Sequence, residues 1–268
     1  MHVLGLRVFN FVTYGGVMTD VLGYRMKFGV IAPSTNTSVE PEYALMQPKG
    51  ITNHFCRIDI PDNPVKSDED FTQLLHNIRS TTEVAMDRVM TCSPGFVIMG
   101  MSAETFWDGA EGADELHKKM EDRAGVGVSL GSHACQHALK KYSERKEIKS
   151  LGILTPYMPA GDNMVHRFFS DIGYSVKKLI GLKSPSPMLI AHEPPEKLRQ
   201  AIIELNESEV DCIVQVGTNL ACVAVAAEAE RWLNKPVIAI NAATYWHSLR
   251  LNGFEDKIYG CGRLLENW

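Results

Sequence analysis

The chain has 268 residues, of which 45% are hydrophobic and 22% are charged, a composition typical of a globular protein rather than of a disordered segment. The formal net charge of -5 comes without a run of lysine or arginine residues. This charge pattern argues against nucleic acid or an anionic membrane as a partner, so small molecules are the expected partners.

The six cysteines are far apart and form no CxxC pair, which indicates neither a zinc site nor a redox motif and favours a reducing, cytoplasmic setting. Residues 1–25 are fairly apolar, but Gly15, Gly16 and Asp20 interrupt them and no basic segment precedes them. This pattern predicts neither a signal peptide nor a membrane span. We expect residues 1–25 to be an N-terminal extension without chemistry, and Met18 leaves open whether the residues before it belong to the native chain.

Short apolar runs that end in Gly, Pro, Ser or Thr alternate with helix-length amphipathic segments, a pattern typical of parallel strands with helical crossovers. The predicted strands are Met26–Ala32, His54–Asp59, Phe96–Met101, Gly125–Leu130, Ser150–Thr155, Ser175–Gly181, Cys212–Val216 and Val237–Asn241. The predicted helices are Glu40–Leu45, Asp68–Met90, Ala110–Arg123, Ala134–Tyr142, Ala160–Ile172, Pro195–Asn206, Leu220–Leu233 and Ala243–Leu251. The fold class is therefore α/β.

Two halves of the chain resemble one another. KFGVIAPSTNT, from Lys27, matches SLGILTPYMPAGDN, from Ser150, and FVIMGMSAETFWDG, from Phe96, matches CIVQVGTNLACVAV, from Cys212. Each segment is a strand that runs into a polar loop, and ligands of parallel sheets bind at the carboxyl ends of strands. We predict a first half of residues 26–130 plus 243–268, a second half of residues 131–242, and a site between them for a small carboxylate. For any single loop, the alternative is that the strand simply ends in turn-forming residues.

The loop after the first strand contains Ser34, Thr35 and Asn36, whose hydroxyl, amide and backbone N–H groups suit a carboxylate at a helix N-terminus. A cluster of helix caps is the alternative. The second loop, Gly100-Met101-Ser102 followed by Glu104, resembles an oxyanion cradle, although Glu104 also fits a solvated acid at a helix start.

The remaining two loops contribute Tyr157, as a hydrogen-bond donor or general acid, and Gly217-Thr218-Asn219, with a hydroxyl and an amide. Tyr157 is equally compatible with packing against a neighbouring loop, and Gly217-Thr218-Asn219 is equally compatible with another helix cap. His133 is the histidine best placed to titrate near these loops, but a capping or surface role suits it better. No metal-ligand spacing, Walker loop or GxGxxG sequence is present, so we expect no metal and no cofactor.

Four segments together resemble the Asp/Glu racemase superfamily, in its maleate isomerase and arylmalonate decarboxylase branch: VIAPSTNTSVEPEY, GMSAETFWDG, LTPY, and GTNLACVAVAAEAERWLNKPVIAINAATYWHSLRLNG. The resemblance extends from about Phe28 to the C-terminus. It implies two pseudo-symmetric flavodoxin-like halves, cofactor-free chemistry at the carbon next to a carboxylate, and a homo-oligomer.

In that family, two facing cysteines, or one in the decarboxylases, supply the nucleophile or proton donor. Here the corresponding positions are Gly100 or Met101 and Gly217, and Cys222 lies five residues too far along the chain. The resemblance therefore implies an anion-binding shell without its thiols. Since a thiolate is the reagent for isomerisation, we expect a decarboxylase-like lyase with Ser102, Glu104 or Tyr157 as catalytic residues, and His133 or water remains open as the proton donor. The alternatives are an amide or lactam hydrolase that uses Glu104, a maleate isomerase-like enzyme, and a non-catalytic binding protein.

Overall fold

The computed structural model describes residues 20–268, and most of the predicted N-terminal extension lies outside the described residues. The strands are β1 Met26–Pro33, β2 Ile51–Ile58, β3 Phe96–Met99, β4 Val128–Ser129, β5 Ser150–Thr155, β6 Ser175–Gly181, β7 Cys212–Gln215 and β8 Val237–Ala239. The helices are α1 Val39–Met46, α2 Asp68–Met90, α3 Gly109–Ala124, α4 Gly131–Ser143, α5 Pro159–Asp171, α6 Pro195–Asn206, α7 Val223–Leu233, α8 Ile240–Leu251 and α9 Arg263–Asn267. Two 3-10 helices cover Ala103–Phe106 and Leu189–His192.

The strands form two four-stranded parallel sheets with the same connectivity, in the orders β2-β1-β3-β4 and β6-β5-β7-β8. Strands β3, β5 and β7 are buried along their whole length, as continuous apolar runs covered by helices on both faces must be. The predicted α/β architecture of two similar halves is confirmed. Because β1 and β3 are the inner strands of one sheet and β5 and β7 those of the other, the loops that follow these four strands leave from the middle of each sheet.

Most differences from the predicted elements occur where the chain leaves a strand. Helix α7 begins at Val223 rather than Leu220, because residues 217–222 form a loop. In this loop, Asn219 donates to the carbonyl of Pro187 and its backbone carbonyl accepts from Ser38 Oγ. Strand β8 ends at Ala239 and Asn241 is already helical, while β4 is reduced to two residues. The short 3-10 helices and α9 carry no periodic apolar pattern from which they could be predicted.

Helix α8 packs against α4 and α1 and also contacts β3, β4 and β8. It therefore touches elements on both sides of the proposed boundary, and the division into residues 26–130 plus 243–268 and residues 131–242 stays a prediction. Among residues 20–268, no helix is long and apolar enough to cross a membrane.

Four histidines meet where α3, α4 and α8 pack together. The rings of His117 and His133 are 4.9 Å apart, and those of His137 and His247 stack at 4.5 Å. Nδ1 of His247 lies 3.0 Å from Oγ of Ser129, whereas its buried Nε2 has no hydrogen-bond partner within the described part of the chain. Burial and the neighbouring histidines lower the pKa of His247 from 6.5 to about 3.

This cluster predicts acid sensitivity. Because the folded protein holds His247 neutral while the unfolded chain protonates it near pH 6.5, His247 should cost no stability above that pH and destabilise the fold progressively as the pH falls toward 3. We expect His247→Gln to reduce the slope of Tm against pH between pH 6.5 and 4, as measured by thermal unfolding. The exposed His166 provides the matched control, His166→Gln, and an equal slope in wild type and His247→Gln would refute the assignment.

Candidate active site

A small cavity lies between the two sheets, at the carboxyl ends of β1, β3, β5 and β7. Its accessible volume is about 70 Å³. All four loops predicted to meet there contribute to its lining, with Thr35, Asn36, Met101, Ser102, Tyr157, Gly217, Thr218 and Asn219. The cavity lies where the sequence predicts the site, and its assignment as the active site stays a prediction.

Ser102 and Tyr157 are joined by a hydrogen bond across the two halves. Oγ of Ser102 lies 2.6 Å from the Tyr157 hydroxyl, and the Thr218 N–H donates to the same Oγ at 3.1 Å. The bond from Thr218 uses one lone pair of Oγ. The hydroxyl proton and the second lone pair are therefore still available for a hydrogen bond with the phenol. Loops that leave three different strands thus converge on one hydroxyl.

Tyr157 is held as a neutral phenol. It is buried, its ring packs 5.5 Å from that of Phe71, and burial raises the pKa of its hydroxyl well above the ordinary value. Its bond to Ser102 opposes this shift but does not outweigh it. Tyr157 is therefore a hydroxyl donor with a proton to give at neutral pH.

The Asn36 side chain stabilises the loop that follows β1. Its Oδ1 accepts from the N–H groups of Ser38 and Val39, both at 3.0 Å, and so caps the start of α1. Its Nδ2 donates to Oγ1 of Thr218 at 3.1 Å, and that hydroxyl donates onward to the carbonyl of Gly100 at 3.3 Å. Asn36 thus ties the first loop to the fourth.

Asn219 acts as a clamp between loops. Its Oδ1 accepts from the Thr37 N–H at 2.9 Å, and its Nδ2 donates to the carbonyls of Thr35 at 3.3 Å and Pro187 at 2.8 Å. Ser38 Oγ in turn donates to the backbone carbonyl of Asn219 at 2.8 Å. With both side-chain atoms engaged, Asn219 shapes the cavity wall.

Three backbone N–H groups at the cavity have no hydrogen-bond acceptor among the described residues. Within residues 20–268, the N–H groups of Thr35, Met101 and Gly217 have no hydrogen-bond acceptor, although all three residues line the cavity. Backbone N–H groups in a buried wall need an acceptor, and a bound carboxylate or an enediolate supplies two oxygens. The polar wall is thus suited to an anion, as the sequence predicts.

Most of the lining, the apolar wall, consists of apolar side chains. Phe71, Leu74 and Ile78 lie three, four and seven residues apart and therefore share one face of α2. The remaining apolar residues of the lining are Pro33, Ile60, Val65, Ala103, Pro156, Met158, Pro187 and Ile190. In the described part of the chain, no Lys, Arg, His, Asp, Glu or Cys side chain belongs to this lining.

Three residues predicted for the site lie outside the cavity lining. Ser34 Oγ both donates to the carbonyl and accepts from the N–H of Ile60, at 3.1 and 3.0 Å, so it fastens a turn. The Gly100 N–H donates to Ile31 O at 2.8 Å, because the chain is still in register with β1 there. Glu104 forms an ion pair with Arg79.

Glu104 points away because the 3-10 helix turns the chain after Ser102. Ala103 lines the cavity, whereas Glu104 borders a separate depression together with Arg79 and Trp107. The guanidinium of Arg79 lies 5.2 Å from the centre of the Trp107 ring. This geometry corrects the prediction that Glu104 is catalytic.

His133 is not in the lining either, since its Nε2 pairs with Asp114 at 2.9 Å. Among residues 20–268, no group of three or more His, Cys, Asp or Glu side chains is arranged to hold a metal ion.

Sequence reasoning missed the loop after β6, which supplies Ser184 and Ser186 to the lining. Ser184 Oγ donates to Glu193 at 2.9 Å, and the Val65 N–H donates to the carbonyl of Pro185 at 2.8 Å, so this loop closes against the segment that precedes α2. The signal was present, because Ser184-Pro185-Ser186-Pro187 is another polar loop at a strand end.

The fold and the site define an α/β protein of two pseudo-symmetric halves with a small cavity between them. The chain belongs to the arylmalonate decarboxylase family, whose sequence profile matches residues 28–265. It lies in the maleate isomerase and arylmalonate decarboxylase branch of the Asp/Glu racemase-like proteins, whose characterised relatives are enzymes.

Comparison with individual proteins supports the same assignment. Maleate isomerase of Pseudomonas putida (strain KT2440) is 22% identical over 251 residues, which cover 89% of this chain and 96% of that protein. The structure of a Nocardia farcinica maleate cis-trans isomerase variant with a covalently bound succinylcysteine intermediate superposes with a TM-score of 0.80 at 19% identity, covering 90% of this chain and 98% of the other. Arylmalonate decarboxylase superposes with a TM-score of 0.68 at 18% identity, covering 89% and 98%.

Proposed function

We propose that this protein is a cofactor-independent decarboxylase of a malonate that carries an apolar substituent. The observation that carries the proposal is a mainly apolar cavity without a charged side chain in its lining, at which the N–H groups of Thr35, Met101 and Gly217 have no acceptor among residues 20–268. Loss of CO₂ from a malonate leaves an enediolate. The donors stabilise its two oxygens without reorganising, while the apolar wall receives the substituent.

Tyr157 is the proposed proton donor. When the carbon–carbon bond to the departing carboxylate breaks, its electron pair moves into the enediolate as CO₂ leaves. The α-carbon then takes the phenol proton, and solvent returns a proton to the phenolate. An enediolate carbon is far more basic than a phenolate, so a phenol with a raised pKa still transfers its proton downhill. Ser102 holds the hydroxyl in place at 2.6 Å.

The alternative reactions lack a reagent at this cavity. Isomerisation through a thiolate adduct needs a cysteine, but Cys222 is fully buried at the start of α7 and is absent from the lining. Burial also raises the pKa of its thiol, which disfavours the thiolate. Hydrolysis by Glu104 would need that carboxylate to face the substrate, whereas it pairs with Arg79.

The test is a ¹H NMR assay in D₂O with phenylmalonate, methylmalonate, maleate and maleamate. We expect phenylmalonate to yield phenylacetate with one deuterium at the α-carbon, and methylmalonate to react more slowly because it leaves the apolar wall unfilled. Treatment with iodoacetamide should leave the rate unchanged, as should Cys222→Ser. Inactivation by iodoacetamide that Cys222→Ser prevents would reject the thiol-free mechanism, and turnover of maleate alone would favour the isomerase.

The proposed small-carboxylate ligand, the homo-oligomeric assembly and the cytoplasmic location rest on the sequence and on the family. Size-exclusion chromatography with light scattering measures the assembly directly, for which we expect a dimer or a higher oligomer. A monomer at micromolar concentration would contradict that expectation.

A further inference from the structure

Glu42 in α1 is a buried carboxyl group that the proposed reaction does not use. It is 8% exposed, and its two oxygens accept from neutral donors: Oε1 from the Val223 N–H at 2.9 Å and Oε2 from Asn241 Nδ2 at 2.6 Å. None of its hydrogen-bond partners among residues 20–268 is a charged side chain. A buried carboxylate without a cation is costly, so its presence here requires an explanation.

Asn241 connects this carboxyl to the cavity. Its Nδ2 donates both to Glu42 and to the carbonyl of Thr218, the latter at 2.9 Å. Thr218 is the residue whose N–H donates to Oγ of Ser102 at 3.1 Å. Since Asn241 is 1% exposed and tightly packed, the orientation of one amide group links Glu42 to the loop that supports Ser102.

While Glu42 is ionised, the Asn241 amide has one favourable orientation, in which Nδ2 faces both the Glu42 carboxylate and the Thr218 carbonyl. Asn241 Oδ1 is buried and has no hydrogen-bond partner in the described structure. A protonated Glu42 carries an O–H that needs an acceptor, yet both of its oxygens face donors. Turning the amide would give this O–H the Oδ1 acceptor, but it would take Nδ2 away from the Thr218 carbonyl.

The titratable groups that face Glu42 are neutral near pH 7. They are Tyr43 on the same helix, Cys222 at the start of α7 and Cys261 before α9, and burial raises the pKa of each. Burial likewise raises the pKa of Glu42 to about 7, against the hydrogen bonds from Asn241, Val223 and Cys222, which lower it. Glu42 is therefore the group in this cluster whose charge changes near neutral pH.

We infer that Glu42 is a positioning residue whose ionised carboxylate orients Asn241 and thereby fixes the Thr218 loop, and whose protonation releases that loop. The coupling between Glu42 and Thr218 is a property of the free protein. Its catalytic consequence, a fall in turnover as the pH drops below about 7, rests on the proposed decarboxylation.

The coupling is measured by NMR on protein labelled with ¹³C and ¹⁵N, without ligand, between pH 5.5 and 8.5. We expect the carboxyl carbon of Glu42 and the backbone amide of Thr218 to shift with one common midpoint. Glu42→Gln places a permanent donor opposite Asn241, so the Thr218 amide should stop titrating and resemble the acid form. Asn241→Ala should leave Glu42 titrating while the Thr218 amide no longer follows.

Glu230→Gln is the matched control, because Glu230 is also buried and accepts from Tyr142 and Arg263, but lies outside the cavity lining. We expect the Thr218 titration to persist in that variant. An amide of Thr218 that does not titrate in the wild type, or that still titrates in Glu42→Gln, overturns the inference. If a variant fails to fold, the wild-type measurement still overturns the inference when the Thr218 amide does not titrate with the midpoint of the Glu42 carboxyl carbon.

The pH profile of kcat/KM separates this inference from the proposed function. Wild-type activity on phenylmalonate should rise from pH 6 to 8, whereas Glu42→Gln should be flat and about tenfold lower at pH 8. If no malonate is decarboxylated while the Thr218 amide titrates with Glu42, the proposed function fails and the coupling stands. If malonate is decarboxylated with a flat profile in the wild type, the positioning role of Glu42 fails alone.

Discussion

Replacing Tyr157 with phenylalanine is expected to lower kcat for malonate decarboxylation by about 10²- to 10⁴-fold, the usual contribution of a positioned general acid. The ring should keep its place, since it is buried and packs 5.5 Å from the ring of Phe71. What the substitution removes is the hydroxyl that lies 2.6 Å from Ser102 Oγ. KM should change much less than kcat, because the unpaired N–H donors that hold the carboxylate remain.

The measurement is steady-state turnover of phenylmalonate together with deuterium incorporation in D₂O. Tyr245→Phe is the matched control: it removes another buried hydroxyl, one that donates to Asn53 at 3.2 Å and is absent from the cavity lining. We expect the control to keep wild-type kcat. A Tyr157→Phe enzyme within threefold of wild type, with an unchanged Tm, would show that water or another group protonates the α-carbon.

The sequence was sufficient to predict the architecture because the architecture depends on local patterns. Continuous apolar runs such as Ser150–Thr155 and long amphipathic segments such as Asp68–Met90 match their observed elements residue for residue. The convergence of four loops followed from one general rule, that parallel strands present their carboxyl ends at one edge. Ser102, Tyr157 and Thr218 were brought together by that rule.

The directions of individual side chains were not predictable, since they depend on contacts between segments far apart in the chain. Glu104 turns out of the cavity because Arg79, 25 residues earlier, offers it a partner. The apolar face of α2 was visible as a helical period, but the period does not tell which part packs in the core and which part borders the cavity. Phe71 borders the cavity, whereas Leu75 is buried in the core.

Gly100 and Gly217, which the family resemblance places at or next to the expected thiol positions, differ physically. Gly100 has ordinary backbone geometry, and a Cβ added there would lie 3.1 Å from Val30 Cγ1 and 3.2 Å from both Ala32 Cβ and the carbonyl oxygen of Ile31, so these neighbours would have to move by a few tenths of an ångström. Gly217 has a φ of +131°, which is unfavourable for any residue with a side chain. A Cβ there would lie 2.6 Å from Cδ and 2.8 Å from Cγ of the Pro156 ring, which cannot rotate away.

Cysteine at position 217 is therefore expected to destabilise the protein by about 2–4 kcal/mol, the sum of backbone strain and overpacking, whereas cysteine at position 100 should cost about 1 kcal/mol. For a chain of this size, the loss of about 2–4 kcal/mol for Gly217→Cys corresponds to a fall in Tm of roughly 4–16 °C. Thermal unfolding of Gly217→Cys and Gly100→Cys under reducing conditions tests the difference, and Gly217→Ala and Gly100→Ala exclude an effect of the thiol. Equal Tm values for the two alanine variants would contradict the argument. A larger loss at 217 would show that the loop held by Asn219 and Asn241 excludes a side chain at this position, which supports the proposal of a thiol-free mechanism.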